Sequence, residues 1–232
     1  MEIKKGVFYG VSVGPGDPEL LTVKAVRVLE RCPVIAAPRT KSGGTLALDI
    51  VRQAVSLEGK TVLPLFFPMG KDKAAWREAH RRAAAEIRIH LDEGRDVAMP
   101  NLGDVSIYST FSYLKELLEE EGSEAVMIPG VPSFCAAAAR LGIPLAAGDA
   151  PLHIIPVTGE PLAPALAGTG AKVLMKAGRS FPQVEEALRE AGQLERAALV
   201  EDCGLPSERV CPDLGRMEEK PGYFTTVIVK ER

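Results

Sequence analysis

The stretch Val7-Phe8-Tyr9-Gly10-Val11-Ser12-Val13-Gly14-Pro15-Gly16-Asp17-Pro18 decides how the fold is read. Residues 7–13 are apolar, aromatic or small and carry no charge. They stop at a cluster of turn formers. A short uncharged run bounded by Gly and Pro predicts a buried strand. The next segment, 19–31, spaces its apolar residues as an amphipathic helix does, and 34–37 is another short apolar run. Strand, tight turn, helix and strand form the unit of a parallel α/β sheet.

The alternation continues outward. Helix 45–56 is marked by Leu46, Ile50, Val51 and Val55, and strand 62–66 follows. A long polar helix is expected at 73–93, a strand at 96–99, a helix at 107–121 and a strand at 125–128. Five strands with helical crossovers predict an N-terminal parallel five-stranded sheet. The second half reads differently. Helices at 133–141 and 181–191 mix with strands at 153–157, 173–176, 197–201, 208–211 and 223–229. The last of these resembles the closing strand of a mixed sheet. The fold class is therefore α/β, with two α/β domains expected at 1–121 and 122–232.

Composition limits the classes of function. With 46% hydrophobic residues and a net charge of -3, the chain is not disordered. A sequence pI near 5.8 argues against a dedicated nucleic-acid partner. No apolar run reaches the length of a membrane helix, about 20 residues. Cys32, Cys135, Cys203 and Cys211 form no C-x-x-C pair, and His80, His90 and His153 lie far apart, so no metal site is expected. Free thiols then point to a reducing cytoplasm.

Four loops stand out. Gly14-Pro15-Gly16-Asp17-Pro18 superficially resembles a dinucleotide fingerprint, but Pro15 removes an amide donor and Glu19 stands where the third Gly belongs. It reads equally as a turn capped by Asp17, with Pro18 at the first helical position. Pro100-Asn101-Leu102-Gly103-Asp104 lies beyond a strand's carboxyl end, where open α/β sheets bind ligands; Asp104 is there a ligand acceptor or a helix cap. Pro129-Gly130-Val131-Pro132-Ser133 opens an Ala-rich helix, and Gly142-Ile143-Pro144-Leu145-Ala146-Ala147-Gly148-Asp149 reads as a fixed connector. Of the 22 Gly and 18 Pro, thirteen fall in 14–18, 100–103, 129–132 and 142–151.

In this order and spacing, the loops resemble those of the tetrapyrrole methylase family, which uses S-adenosyl-L-methionine. The resemblance rests on Gly14–Asp17 with Leu20-Leu21-Thr22-Val23-Lys24-Ala25, on Leu102-Gly103-Asp104 and on Pro129-Gly130-Val131. Within the family, Tyr108-Ser109-Thr110-Phe111-Ser112-Tyr113-Leu114 resembles the C20 methyltransferases of cobalamin biosynthesis, which act on precorrin-2 or cobalt-factor II. So does Ile128-Pro129-Gly130-Val131-Pro132-Ser133-Phe134 running into Leu141-Gly142-Ile143-Pro144-Leu145-Ala146.

The resemblance implies two α/β domains with the active site between them, usually in a homodimer. It implies cofactor contacts at Pro15, Leu102, Gly103, Asp104, Ile107, Pro132 and Ser133. Lys176 or its neighbour Met175, and Cys203 or Gly204, complete that set. An acidic residue that uroporphyrinogen methyltransferases carry near the end of the second strand is replaced by Pro38-Arg39, so their proton-handling role does not transfer.

Methyl transfer from a sulfonium needs alignment more than reactive side chains, which suits loops of Gly and Pro. Asp104 is the candidate catalytic base or electrostatic partner, with cofactor anchoring as its competing role. The substrate's peripheral carboxylates call for cations; Arg39, Lys41, Lys71, Lys73, Arg77 and Arg81 are candidates, each equally readable as solvated surface charge. Tyr108 is a candidate contact with the macrocycle or a core residue. Alternatives are methylation of another tetrapyrrole (uroporphyrinogen III or a later precorrin), of ribosomal RNA or of a protein side chain, or a non-catalytic nucleotide-binding module.

Overall fold

The computed structural model describes residues 4–39, 45–68, 72–158, 160–217 and 219–231. The chain divides into two units, Met1–Pro132 and Ser133–Arg232. The first holds β1 (Val7–Ser12), α1 (Val23–Arg31), β2 (Val34–Arg39), α2 (Leu46–Ala54), β3 (Thr61–Phe66), α3 (Lys73–Asp92), β4 (Val97–Asn101), α4 (Phe111–Glu120) and β5 (Glu124–Ile128). Its sheet has the order β3-β2-β4-β1-β5, with every pairing parallel. Pro64, which cannot donate to a ladder, sits in the edge strand β3.

This order and the right-handedness of parallel crossovers sort the helices. The connections after β1 and β2 run toward the β3 edge, and those after β3 and β4 run toward the β5 edge. Right-handed crossovers in opposite directions lie on opposite faces. Accordingly α1 and α2 bury Ala25, Val28, Leu29, Leu48, Ile50 and Val51 with Tyr9, Val11 and Ile35 on one face. Helices α3 and α4 bury Ile87, Leu91, Phe111, Leu114 and Leu118 with Phe8, Val34 and Met99 on the other. Neighbouring residues of β1 thus point to opposite cores, and both faces are covered, which is why the strands read as uninterrupted apolar runs. Strands β1 and β4 are neighbours whose following chains leave to opposite faces. Such a switch point opens a crevice at the carboxyl ends of the strands.

The second unit holds α5 (Ser133–Leu141), β6 (Leu152–Pro156), α6 (Ala163–Leu166), β7 (Ala171–Met175), α7 (Phe181–Glu190), β8 (Ala197–Glu201), β9 (Arg209–Cys211) and β10 (Thr225–Val229). Its sheet is mixed, in the order β6-β7-β10-β8-β9. Only β6 and β7 pair in parallel; β10 runs antiparallel to both β7 and β8. Leu174, Leu199, Val227 and Val229 meet α6 and α7 in one core. Thr226 alternates to the other face, where its hydroxyl lies 3.5 Å from that of Ser133 on α5.

Four expectations change. The division falls after Pro132 and not at 121/122, because β5 pairs along β1 and belongs to the first sheet. The helix expected at 19–31 splits into a 3₁₀ turn at Pro18–Leu20, capped by Asp17, and α1, capped by the Thr22 side chain on Ala25 N–H. The helix expected at 107–121 starts only at Phe111, because Tyr108 takes a left-handed φ of 51° that no α-helix accommodates. Short α6, with Pro164 among its four residues and Pro161 shortly before it, has no counterpart in the sequence reading.

Candidate functional site

In the first unit the chain segments after β1, β4 and β5 are tied to one another. Gly14 and Gly103 form an isolated antiparallel bridge, with Gly103 N–H donating to Gly14 O at 2.7 Å and Gly14 N–H to Gly103 O at 3.3 Å. Ser12 ends β1. Its hydroxyl donates to Ile128 O at 2.7 Å and accepts from Val105 N–H at 2.8 Å. Asp104, only 9% exposed, uses both carboxylate oxygens. Oδ1 accepts from Ser106 N–H at 2.8 Å and from the Ser106 hydroxyl; Oδ2 accepts from Gly130 N–H at 2.8 Å. Gly130 has no room for a side chain, since a Cβ there would stand 2.4 Å from Ser12 Cβ. Burial pushes the Asp104 carboxyl up, but the bonds from Ser106, Gly130 and Ser12 outweigh it and hold the group below the ordinary aspartate range.

This geometry weighs against the expected role of general base and shows the Asp104 carboxylate tying its own loop to the turn after β5, a role distinct from the cofactor anchoring also expected for it. A general base needs a pKa near the working pH and a free oxygen within reach of the proton. Asp104 has a depressed pKa and two engaged oxygens. It anchors the loop.

The same loop contains a strained residue. Asn101, 7% exposed, donates from Nδ2 to Met99 O and accepts at Oδ1 from the Ser109 hydroxyl, both at 2.7 Å. Ser109 Oγ in turn accepts from Phe111 N–H at 3.0 Å and so starts α4. Between these fixed points Tyr108 holds its left-handed backbone and is 48% exposed. Conformations of that kind persist where surrounding structure enforces them, and they concentrate at functional sites.

Among the described residues, the other two non-glycine positions with positive φ lie in the second unit, each directly after a strand. Lys176 (φ 61°) follows β7 and Asp202 (φ 48°) follows β8. Asp202 N–H donates to Phe224 O, and its carboxylate accepts from the Ser207 hydroxyl at 2.8 Å. Glu208 accepts from Gly204 N–H at 2.8 Å and from Arg140 Nε of α5 at 2.7 Å. Burial raises the Glu208 carboxyl, and the bonds from Arg140 and Gly204 lower it further than that.

The expected residues are thus placed in two groups. Pro15 and Gly103 are buried, while Leu102, Ile107 and Pro132 are half-buried, on the loops of the first unit. Ser133 opens α5, Met175 ends β7 and Lys176, Cys203 and Gly204 follow β7 and β8 in the second. Arg39 ends β2 exposed, at the same carboxyl edge as the β1 and β4 loops. Lys73, Arg77 and Arg81 are exposed along α3. Lys41 and Lys71 lie outside the described residues. Ser12, Asn101, Ser106, Asp202 and Glu208 were not singled out by the sequence. Nothing in a lone Ser12 signals a hydroxyl that bonds Ile128 and Val105, both far along the chain.

The family Tetrapyrrole (Corrin/Porphyrin) Methylases matches residues 7–217. The cobalamin biosynthesis protein CobIJ of Mycobacterium tuberculosis is 36% identical over 97% of this chain, and the chain spans about half of that protein's length (46%). The cobalt-precorrin-2 C(20)-methyltransferase of Salmonella typhimurium is 34% identical over 98% of this chain and 97% of its own. The precorrin-2 C(20)-methyltransferase of a Sinorhizobium species is 33% identical over 97% and 95%. Among solved structures, the cobalt precorrin-4 methyltransferase CbiF superposes with a TM-score of 0.75 at 20% identity, over 97% of this chain and 94% of the other. The uroporphyrin-III C-methyltransferase of Thermus thermophilus bound to S-adenosyl homocysteine gives 0.71 at 23% identity, over 97% and 98%. With its loops placed as described and the match running through both units, the chain belongs to the tetrapyrrole methylases.

Proposed function

We propose that this protein transfers a methyl group from S-adenosyl-L-methionine to C20 of precorrin-2 or its cobalt form, in cobalamin biosynthesis. The reading is carried by similarity over nearly the whole length to two relatives named for that reaction. The loops support it. Lys176 and Asp202 sit in left-handed backbone directly after β7 and β8, Tyr108 does so between β4 and α4, and the expected cofactor contacts are rich in backbone and small or apolar side chains. That set suits an adenosyl group and a sulfonium.

When bound, S-adenosylmethionine supplies an electrophilic methyl on a positive sulfur. Leu102, Gly103 and Ile107 with Pro15 and Pro132 are the proposed contacts of the first unit; Ser133, Met175, Lys176, Cys203 and Gly204 are those of the second. Asp104 keeps the Gly103 loop in register with Ser12 and Gly130. Arg39 and Tyr108 face the tetrapyrrole, Arg39 through a carboxylate and Tyr108 through its ring. A homodimer in the cytoplasm is part of the same proposal. No described helix is long and apolar enough to cross a membrane.

The test is incubation with methyl-labelled S-adenosylmethionine and, side by side, precorrin-2 and its cobalt form. Label at C20 of either product is expected, and the faster substrate identifies the route. Label at another ring position, or none with both, overturns the reading. Light scattering on the eluting protein tests the dimer.

A further inference from the structure

Where β7 and β8 end and β10 begins, two large aromatic side chains stand side by side in solvent. Tyr223 is 45% exposed and Phe224 44%, and their rings meet edge to face with centroids 4.9 Å apart. Adjacent half-exposed aromatics forgo burial that folding normally rewards, and such patches mark contact surfaces. The Arg179 guanidinium lies over the Tyr223 ring, 4.9 Å from its centroid. A stacked guanidinium uses its flat face and leaves its in-plane N–H groups for a carboxylate. Among the described residues Arg179 makes no ion pair.

The arrangement is fixed in advance. A Cβ on Gly178 would stand 1.7 Å from Gly222 O, and one on Gly222 would stand 2.4 Å from Glu201 Oε1. The segment around Gly178 therefore lies directly on the segment around Gly222. Buried Glu201 accepts from Gly222 N–H, the Thr225 hydroxyl donates to Gly222 O at 2.7 Å, and Asp202 N–H donates to Phe224 O at 2.9 Å. Tyr223 is held by backbone contacts at Gly222 and Phe224, and Arg179 by the packing of Gly178 on Gly222. A preset surface loses little freedom on binding.

We propose that Arg179, Tyr223 and Phe224 form a subsite for the tetrapyrrole, in which Arg179 pairs with a peripheral carboxylate and the aromatic pair takes an edge or face of the ring system. This rests on the tetrapyrrole-methyltransferase reading and adds a substrate contact from the second unit. S-adenosylmethionine also carries a carboxylate. Its sulfonium brings a positive charge toward a guanidinium, and it has less planar surface to cover two rings. The polycarboxylate macrocycle fits both the cation and the aromatics.

The test uses the full chain and the variants Arg179→Ala, Arg179→Lys and Tyr223→Ala, with circular dichroism to confirm folding. Tetrapyrrole binding is read by absorbance titration with precorrin-2 in the absence of methyl donor, S-adenosyl homocysteine binding by calorimetry, and KM for each substrate from turnover. For Arg179→Ala we expect tetrapyrrole Kd and KM to rise at least about tenfold, as for the loss of one charge-assisted bidentate contact. Arg179→Lys should fall between, since lysine keeps the charge without the stacked fork. S-adenosyl homocysteine affinity should stay within about twofold, well inside the tenfold effect expected for the macrocycle. Unchanged tetrapyrrole Kd and KM, or a loss confined to S-adenosyl homocysteine, overturns the subsite while the wild type still methylates C20. A wild type that binds precorrin-2 but transfers no methyl overturns the functional reading instead, and the titration still decides the subsite. A wild type that binds no tetrapyrrole overturns both.

Discussion

At the residue scale, Asp104 and Gly130 are two halves of one contact. The Asp104 carboxylate is buried and makes three hydrogen bonds, so Asp104→Asn replaces an acceptor facing N–H donors by an amide that must turn a donor toward one of them. Loss of charged acceptors at a buried site costs about 2–3 kcal/mol, to be read from urea unfolding. Turnover should fall together with S-adenosyl homocysteine affinity, as for an anchor; a loss of turnover with normal affinity would restore the role of base. The pH dependence has a definite sign. A carboxyl held below its ordinary value of 3.8 adds stability above that value and loses it as pH falls through the lower folded-state value. The stability gap between wild type and Asp104→Asn should therefore close in acid below about pH 4. For Gly130→Ala, the new methyl meets Ser12 Cβ, and overpacking of this kind costs about 1–3 kcal/mol. Ser12→Gly in the same chain should recover part of that cost, a coupling that only contacting residues display.

At the scale of elements, the connection from β4 to α4 and the contact of α3 with α4 make separate predictions. Tyr108 is held in left-handed backbone by the Asn101–Ser109–Phe111 chain of hydrogen bonds. Tyr108→Gly relieves strain of about 1 kcal/mol, which offsets the lost side chain. Its Tm should stay near the wild-type value while KM for the tetrapyrrole rises. A collapse of Tm would make Tyr108 a core residue instead. Between the helices, His80 is 2% exposed and packs on Trp76 with ring centroids 3.8 Å apart, with Phe67 and Tyr113 close by. Its Nδ1 bonds Trp76 O at 2.7 Å, and its Nε2 is buried with no hydrogen-bond partner among the described residues. Burial lowers its pKa more than the Trp76 carbonyl raises it, so the folded protein favours neutral imidazole. That stability is complete above the ordinary value of 6.5 and declines as pH falls below it, because the unfolded chain takes up the proton first. Wild-type Tm should drop between about pH 7 and about pH 5 more steeply than that of His80→Phe. Parallel curves would contradict the assignment.

At the scale of the whole molecule, each unit has its own core, and the four thiols sample different depths. Cys32 is buried in the first core, where burial and the Asp96 carboxylate push its thiol up to about 11. Cys203 is buried as well, Cys211 is half-buried and Cys135 is exposed on α5. Because the thiolate is the reactive form, a maleimide reagent on the native protein should label Cys135 first and Cys32 last. Rapid labelling of Cys32 would show that the first core opens locally.

The sequence by itself determined the alternation of strands and helices, the parallel character of the first sheet and the mixed character of the second. It did so because these follow from the spacing of apolar residues and from turn formers between them, both local properties. It also pointed to the loops at 14–18, 102–104 and 129–132, since Gly, Pro and Asp at strand ends carry a local signature. Tertiary structure alone decided the strand order β3-β2-β4-β1-β5, with β5 beside β1 at the sheet edge, since a strand's partner is set by pairing across more than a hundred residues. It alone showed which donors the Asp104 carboxylate accepts from. A carboxylate's chemistry depends on which donors reach it, and one of those donors, Gly130 N–H, arrives from another strand's end. The left-handed backbone of Tyr108, Lys176 and Asp202 has the same origin. Their residue types disfavour it, and only surrounding contacts hold it in place.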